Sequence, residues 1–320
     1  ELRRIIDKKI RINWKSTSDT ETLINLFEIY NNDLLKFFNL LEGQFAFLIY
    51  DLKNKEIIIA RDKSGEKPLY FTTNENFFAV ASDLKPISKI PSFNKNISDL
   101  SLKKYLQYNY VPSPYSIFQG SHKLPSASYI KIDLKNYQNY FYNNFNDFIS
   151  NKHVEFKKWW SLNKYKNDKI IANTKPKSFL ETKKSIDLKL TESVKRQLIS
   201  DAPLGAFLSS GIDSTLIVAI MKKLNTNTKT FSIGFNFSDY DESEDSKNIS
   251  NYFNTNHHQY IFTEKDAQNV IPKLHDAFSE PFADSSQIPT MLLSKFASNY
   301  VKLALSGDGG DELFGGYNRY

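Results

Sequence analysis

Ala206-Phe-Leu-Ser-Ser-Gly-Ile-Asp-Ser-Thr215 is the stretch that decides the fold. Its apolar start ends in the small residues Ser209-Ser210-Gly211. A helical pattern then begins at Asp213, with Leu216, Ile217, Ile220, Met221 and Leu224 on one side. A strand that stops in small residues and turns straight into a helix aims several backbone N–H groups at one point, with the positive end of the helix dipole behind them. Such an end suits a pyrophosphate group. It is not a Walker loop, because Gly-Lys-Ser/Thr is absent. A buried strand whose Ser/Gly turn caps a helix is the competing reading.

Outward from this stretch, helix and strand alternate. The spacing predicts helices over Ser185–Leu198, Asp241–Phe253 and Ile288–Asn299, and strands over Thr230–Phe235, His258–Phe262 and Tyr300–Leu305. That alternation predicts an α/β region with a parallel, doubly wound sheet, in which ligands sit beyond the carboxyl ends of the strands. A second loop, Leu305-Ser-Gly-Asp-Gly-Gly-Asp-Glu-Leu-Phe-Gly-Gly-Tyr317, falls at such an end. Gly307, Gly309 and Gly310 permit close backbone approach. Asp308, Asp311 and Glu312 crowd the same loop. Carboxylates beside a phosphate site repel it unless a hard cation lies between them, so Mg²⁺ is implied. An acidic turn capping the next helix with Asp311 and Glu312 is the alternative.

The first ~90 residues read as α+β. Asp19 is a candidate N-cap for a helix over Thr22–Phe38. Gly43–Tyr50 and Glu56–Ala60 read as strands of a hairpin, followed by strands at Leu69–Phe71 and Phe77–Ala81. From there to residue 184 the pattern is harder to read. Ser98–Ser101 starts a helix reaching Tyr108, Val111-Pro-Ser-Pro114 breaks it, and Asn136–Asn151 is polar and aromatic without a period. Three divisions are expected: 1–95, a connector with an irregular insertion over 96–184, and 185–320.

With 320 residues, 40% hydrophobic and 24% charged, the chain is long enough for two cores. The net charge of +6 comes from scattered Lys, densest between Lys157 and Lys189. Without the aromatic and Gly features of RNA-binding modules, that tract reads as a solvated linker rather than a nucleic-acid face. No apolar run approaches the length of about 18 residues that a membrane span needs, and the start lacks the pattern of a signal peptide, so a cytoplasmic location is the default. There is no cysteine, which removes disulfides, thiolate metal sites and a cysteine nucleophile. His257 and His258 precede an expected strand without a second metal-ligand pair and are read as surface or core residues.

Taken together, the two loops make the chain resemble the glutamine-dependent asparagine synthetases, which join an N-terminal glutaminase domain to an ATP-pyrophosphatase domain. The resemblance rests on Ala202–Ser214, Phe231-Ser-Ile-Gly-Phe235, Glu280–Thr290 and Ser306–Tyr317. Ser18–Glu21, Gly43–Phe47 and Ala60–Tyr70 are similar to the second half of the glutaminase domain. It implies an Ntn-hydrolase-like α+β half domain, then a sheet of the ATP-pyrophosphatase (adenine nucleotide alpha hydrolase-like) type. The implied substrates are the small molecules ATP, aspartate and glutamine, with no nucleic acid or membrane partner and a homodimer as a candidate state. In the implied reaction, aspartate is adenylated with release of pyrophosphate, and ammonia from glutamine displaces AMP.

By this resemblance Phe207, Leu208, Ser209, Ser210, Gly211, Asp213, Ser214, Ile233, Ser306 and Gly307 bind ATP, and Asp213 and Asp311 hold Mg²⁺. Asp308 and Glu312 are the candidate catalytic carboxylates, Asp19 binds glutamine's amino group, and Asp284, Ser285 and Ser286 bind the acceptor. Ser210 stands where the family's loop has its first Gly. The acceptor segment has no Arg to grip an α-carboxylate, which leaves open a related amidotransferase or lactam-forming synthetase with another acid, or a non-catalytic nucleotide-binding relative. Set against the family pattern, the chain is expected to be a fragment lacking both ends, without the N-terminal cysteine of the glutaminase and unable to hydrolyse glutamine alone.

Overall fold

The computed structural model describes residues 1–165, 178–224, 227–236 and 241–317. These fall into two compact units. One holds residues 1–165 with Ser279–Ala283, and the other holds the remaining described residues.

The first unit runs α1 (Leu2–Asp7), α2 (Asp19–Tyr30), α3 (Leu34–Leu40), β1 (Ala46–Asp51), β2 (Glu56–Arg61), β3 (Tyr70–Thr73), β4 (Phe78–Ala81), α4 (Leu84–Ser88), α5 (Asp99–Tyr108), β5 (Ser121–Lys123), β6 (Ser128–Asp133), α6 (Phe145–Ile149) and β7 (Val154–Lys158). Two antiparallel sheets form, in the orders β1-β2-β6-β7 and β4-β3-β5. The hairpin read from the sequence is present, with Ala46 opposite Arg61 and Asp51 opposite Glu56. Phe37, Phe38, Tyr129 and Trp159 are fully buried where α2 and α3 cover the larger sheet. The Phe38 ring stacks on Tyr129 at 4.9 Å and on Trp159 at 5.8 Å between centroids.

Three expectations change here. The helix expected over Thr22–Phe38 is two helices. Asn31-Asn-Asp33 interrupts it because short polar side chains compete for the backbone, and the Asp33 carboxylate accepts the Lys36 N–H at 3.0 Å to start α3. The N-cap of α2 is Ser18, whose Oγ accepts the Thr20 N–H at 3.1 Å, so Asp19 is not the cap. The stretch expected as a connector supplies β5, β6 and β7. Their side chains alternate too briefly to announce strands, and β6 lies between the two strands it pairs with: Tyr129 faces both Ala60, 69 residues earlier in the chain, and Lys157. Residues 166–177 of the Lys-rich tract and of the insertion lie outside the described residues.

The second unit runs α7 (Phe179–Gln197), β8 (Leu204–Phe207), α8 (Ile212–Lys223), β9 (Lys229–Phe235), α9 (Ser243–Tyr252), β10 (Asn256–Phe262), α10 (Glu264–Val270), α11 (Leu274–Ala277), α12 (Gln287–Ala297), β11 (Leu303–Leu305) and α13 (Gly310–Phe314). The four strands form one wholly parallel sheet in the order β10-β9-β8-β11. The chain therefore winds one way from β8 through β9 to β10, then returns to place β11 on the other side of β8. The reversal lies between β8 and β11, the place where such sheets open a crevice at their carboxyl ends. Both loops singled out in the sequence leave from these two strands.

α7 begins six residues before its expected start. Ser178 accepts the Glu181 N–H at 3.3 Å, and the Glu181 carboxylate takes the Ser178 N–H at 2.9 Å, a capping box that overrides the weak apolar pattern of the first turn. β11 is three residues long, because Tyr300 and Val301 still donate back to Ala297 at the end of α12. Val194, Leu208, Val218 and Met221 are buried between α7, α8 and the sheet, while Phe231, Ala297 and Val301 fill the space beside α12.

Candidate active site

The crevice at the β8/β11 reversal holds a cavity of about 1010 Å³ within the second unit. Both loops line it. From the first come Phe207, Leu208, Ser209, Gly211, Asp213 and Ser214, and from the second Ser306, Gly307, Asp308, Asp311 and Glu312, with Ile233 between them on β9. Twelve residues expected from the sequence to belong to one site thus share one cavity.

The first loop is tightly wound. Ser214 Oγ accepts the Ser209 N–H at 3.1 Å and lies 2.9 Å from Ser209 Oγ, which in turn accepts the Gly211 N–H at 3.2 Å. Gly211 is the N-cap of α8 and contributes no side-chain cap, so the helix start faces the cavity through its backbone. Ser210 turns aside: its N–H and Oγ both donate to one oxygen of Glu242, at 3.3 and 2.7 Å, and it does not line the cavity.

Close approach explains the glycines of the second loop. A Cβ on Gly310 would lie 2.2 Å from Asp213 Oδ2, and one on Gly307 would lie 2.7 Å from the Ser214 nitrogen. Gly309 has φ +88°, a left-handed conformation that glycine adopts without strain. The loop therefore folds down onto the first one and brings Asp311 to the same cavity as Asp213. Neither of these two carboxylates takes a hydrogen bond or ion pair from the described residues. Carboxylate oxygens can only accept, so this pair is left for water or a hard cation. Asp308 accepts the Ser306 hydroxyl at 2.9 Å, and Glu312 accepts the Tyr317 hydroxyl at 2.8 Å. Among the described residues the cavity lining carries five carboxylates, Asp213, Glu242, Asp308, Asp311 and Glu312, and no Lys, Arg or His.

Asp284, Ser285 and Ser286 are not among the lining residues. Asp284 accepts the Ser286 N–H at 2.7 Å, and the Ser286 side chain and backbone hold its carboxyl below the usual range. Further along the same helix, Thr290 and Leu293 do reach the cavity. Sequence reasoning missed these two, together with Phe235, Glu242, Ser246, Phe314 and Tyr317. For Thr290 and Leu293 a signal existed, since they follow Ser286 at helical spacing. His257 and His258 are packed: His257 bonds Thr230 Oγ1 at 2.9 Å and Ser232 Oγ at 3.2 Å, and the His258 and Tyr300 ring centroids lie 4.1 Å apart.

The first unit has its own cavity, of about 880 Å³, lined in part by Arg3, Thr17, Asp19, Thr20, Gln44, Phe47 and Lys67. Asp19 is freed from capping by Ser18 and faces this space. The Arg3 guanidinium ties Thr22 Oγ1, Ser16 O and Ser18 O together at 2.8–3.0 Å and so fixes the turn that presents Asp19. Below it, buried Asp62 accepts the Glu66 and Lys67 N–H groups at 2.9 and 3.0 Å and shapes the loop that carries Lys67 to the cavity.

Residues 1–143 match the family model of a glutamine amidotransferase domain, and residues 185–320 match that of asparagine synthase. A protein of Methanocaldococcus jannaschii, named by inference asparagine synthetase [glutamine-hydrolyzing] 2, is 36% identical over 320 residues, 98% of this chain and 56% of that protein. Asparagine synthetase [glutamine-hydrolyzing] 1 of Bacillus subtilis is 31% identical over 322 residues, 100% of this chain and 46% of that protein. The NH3-dependent NAD synthetase of Campylobacter jejuni overlaps 42% of this chain and 60% of that chain at 18% identity, with a TM-score of 0.31, too slight a likeness to bear on the fold. The chain is thus similar along nearly its whole length to glutamine-hydrolysing asparagine synthetases. It spans about half the length of the curated relatives it matches.

Proposed function

We propose that this chain is part of an enzyme that converts aspartate to asparagine, using ATP and ammonia drawn from glutamine, and that its second unit is the ATP-pyrophosphatase part. The first unit is then the Ntn-hydrolase-like glutaminase part. The observation that carries the reading is the single cavity at the sheet's reversal, in which a strand–loop–helix start meets a loop bearing Asp308, Asp311 and Glu312.

In this reading an oxygen of the aspartate side-chain carboxylate attacks the α-phosphorus of ATP. The bond from that phosphorus to the bridging oxygen breaks, and pyrophosphate departs onto the first loop. Ammonia then attacks the acyl carbon, AMP leaves, and one proton is lost. The Ser209 and Ser214 hydroxyls can rotate, so they can turn from each other to donate to phosphoryl oxygens. Phe207, Ile233 and Leu293 supply apolar wall for the adenine and keep water from it, and Ser306 and Gly307 place backbone beside the ribose. Asp213 and Asp311 would hold Mg²⁺, which would supply positive charge to offset the negative charge that develops on the leaving group. Asp308, steadied by Ser306, is the carboxylate placed to handle a proton at the acyl group. Asp19 offers its carboxylate to glutamine's amino group.

One observation favours a different acceptor acid. The segment Glu280–Thr290 contains no Arg or Lys to hold an amino acid's α-carboxylate, and among the described residues the cavity lining has none. Assaying the full-length gene product for pyrophosphate release with aspartate and with other carboxylic acids separates the two readings. Aspartate-dependent release supports the first, and release only with another acid supports the second.

A further inference from the structure

The first loop carries an anion of its own. Ser210 N–H and Ser210 Oγ converge on a single carboxylate oxygen of Glu242, at 3.3 and 2.7 Å. The other two loop donors, Ser209 N–H and Gly211 N–H, are held by hydroxyl oxygens, and hydroxyls can rotate to become donors toward a ligand. A carboxylate cannot: it only accepts, and it carries the same sign of charge as a phosphoryl group. Resting on the identification of this cavity as a pyrophosphate-releasing ATP site, we propose that Glu242 is a positioning residue that stands in for a phosphoryl oxygen at Ser210, and that it leaves when pyrophosphate or the β,γ-phosphates of ATP take the same donors.

The surroundings of Glu242 are built to present it. Asp241 accepts the Phe235 N–H at 3.3 Å, the Ser243 N–H at 3.1 Å and the Ser243 hydroxyl at 2.9 Å, and so anchors the turn from which Glu242 projects. Gly234 makes room for that anchor, since a Cβ there would lie 2.7 Å from Asp241 Oδ1. Glu242 itself is the N-cap residue of α9 but makes no side-chain cap bond. Its carboxylate is spent on Ser210 and not on its own helix. The same contact accounts for Ser210 in place of glycine, because only a hydroxyl supplies the shorter of the two bonds.

Holding an anion at the donors in advance has two consequences. The loop is kept in shape when no nucleotide is bound, and a bound pyrophosphate meets a competing negative group that returns to Ser210 as it departs. Glu242 thus weakens the grip on phosphates and favours release of the product.

The test uses the full-length gene product and its E242Q variant, with inorganic pyrophosphate and Mg²⁺ titrated calorimetrically and AMP titrated as the reference. The glutamine amide keeps the shape but not the charge. Pyrophosphate should bind E242Q about tenfold more tightly, with pyrophosphate inhibition of the reaction rising in step and the AMP constant unmoved. E242D, which keeps the charge but falls short of Ser210 by one methylene, should also bind pyrophosphate more tightly than the wild type. Weaker pyrophosphate binding by E242Q, unchanged binding, an equal shift for AMP, or loss of the folded state would overturn the proposal. Failure of the wild-type protein to bind ATP or pyrophosphate at all would overturn the identification of the site and the proposal with it. Equal binding by wild type and variant would overturn the proposal alone.

Discussion

Asp213 is the second residue of α8 and points across the cavity at a loop more than 90 residues away in sequence, where Gly310 has no side chain to meet it. Among the described residues its carboxylate and that of Asp311 have no hydrogen-bond or ion-pair partner, the condition in which a carboxylate binds a hard cation. Asp213→Asn in the full-length gene product should lower ATP-dependent pyrophosphate release by about 100-fold or more, the scale of losing one electrostatic element of a charged transition state. Glutaminase activity should be untouched, which a parallel assay of glutamate formation checks. Asp19→Ala should do the reverse. It removes the carboxylate facing the first unit's cavity, so glutamine-dependent synthesis is lost while synthesis from added ammonium salts is kept. At this scale the sequence was informative where chemistry demands a residue type. Asp213, Asp308, Asp311 and the glycines stand out because few other residues serve at a phosphate loop. Glu242 did not stand out, because nothing in Asp241-Glu242-Ser243 distinguishes a residue reaching Ser210 from an acidic helix start.

Among the elements, the second loop and α13 are where a small change should tell most. Gly310→Ala would drive a methyl group to 2.2 Å from Asp213 Oδ2, so the carboxylate or the loop has to move. Pyrophosphate release should fall at least about tenfold, as displacement of a positioned group by an ångström does, with the melting temperature little changed. The capping box of α7 gives a test of stability alone. Ser178→Ala removes the acceptor of the Glu181 N–H and should destabilise the second unit by about 1 kcal/mol, seen as a shift in the urea midpoint. The strands and helices around the loops were legible because their apolar runs end in glycine or in capping residues. β5, β6 and β7 were not. Strands of three to six residues such as Ser121-His-Lys123 become strands through partners far away in sequence, here Tyr70–Thr72, and no local window contains both halves of that pairing. The split between α2 and α3 was missed for the opposite reason: the apolar spacing runs on through Asn31–Asp33, and only the capping geometry of Asp33 reveals the break.

At the scale of the whole molecule, each unit keeps its own core, and each cavity lies within one unit. The first unit depends on its aromatic stack. Phe38 is fully buried between Tyr129 and Trp159, so Phe38→Ala should cost about 3–5 kcal/mol, measured by denaturant unfolding. Among the described residues no helix is long and apolar enough to cross a membrane. The role proposed for the second unit shows in the fate of ATP. Full-length gene product is incubated with ATP, Mg²⁺, ammonium and aspartate, and the phosphorus-containing products are resolved by NMR. AMP and pyrophosphate should form in equal amounts, and only when aspartate is present. ADP with inorganic phosphate, or AMP formed at the same rate without aspartate, would contradict that role.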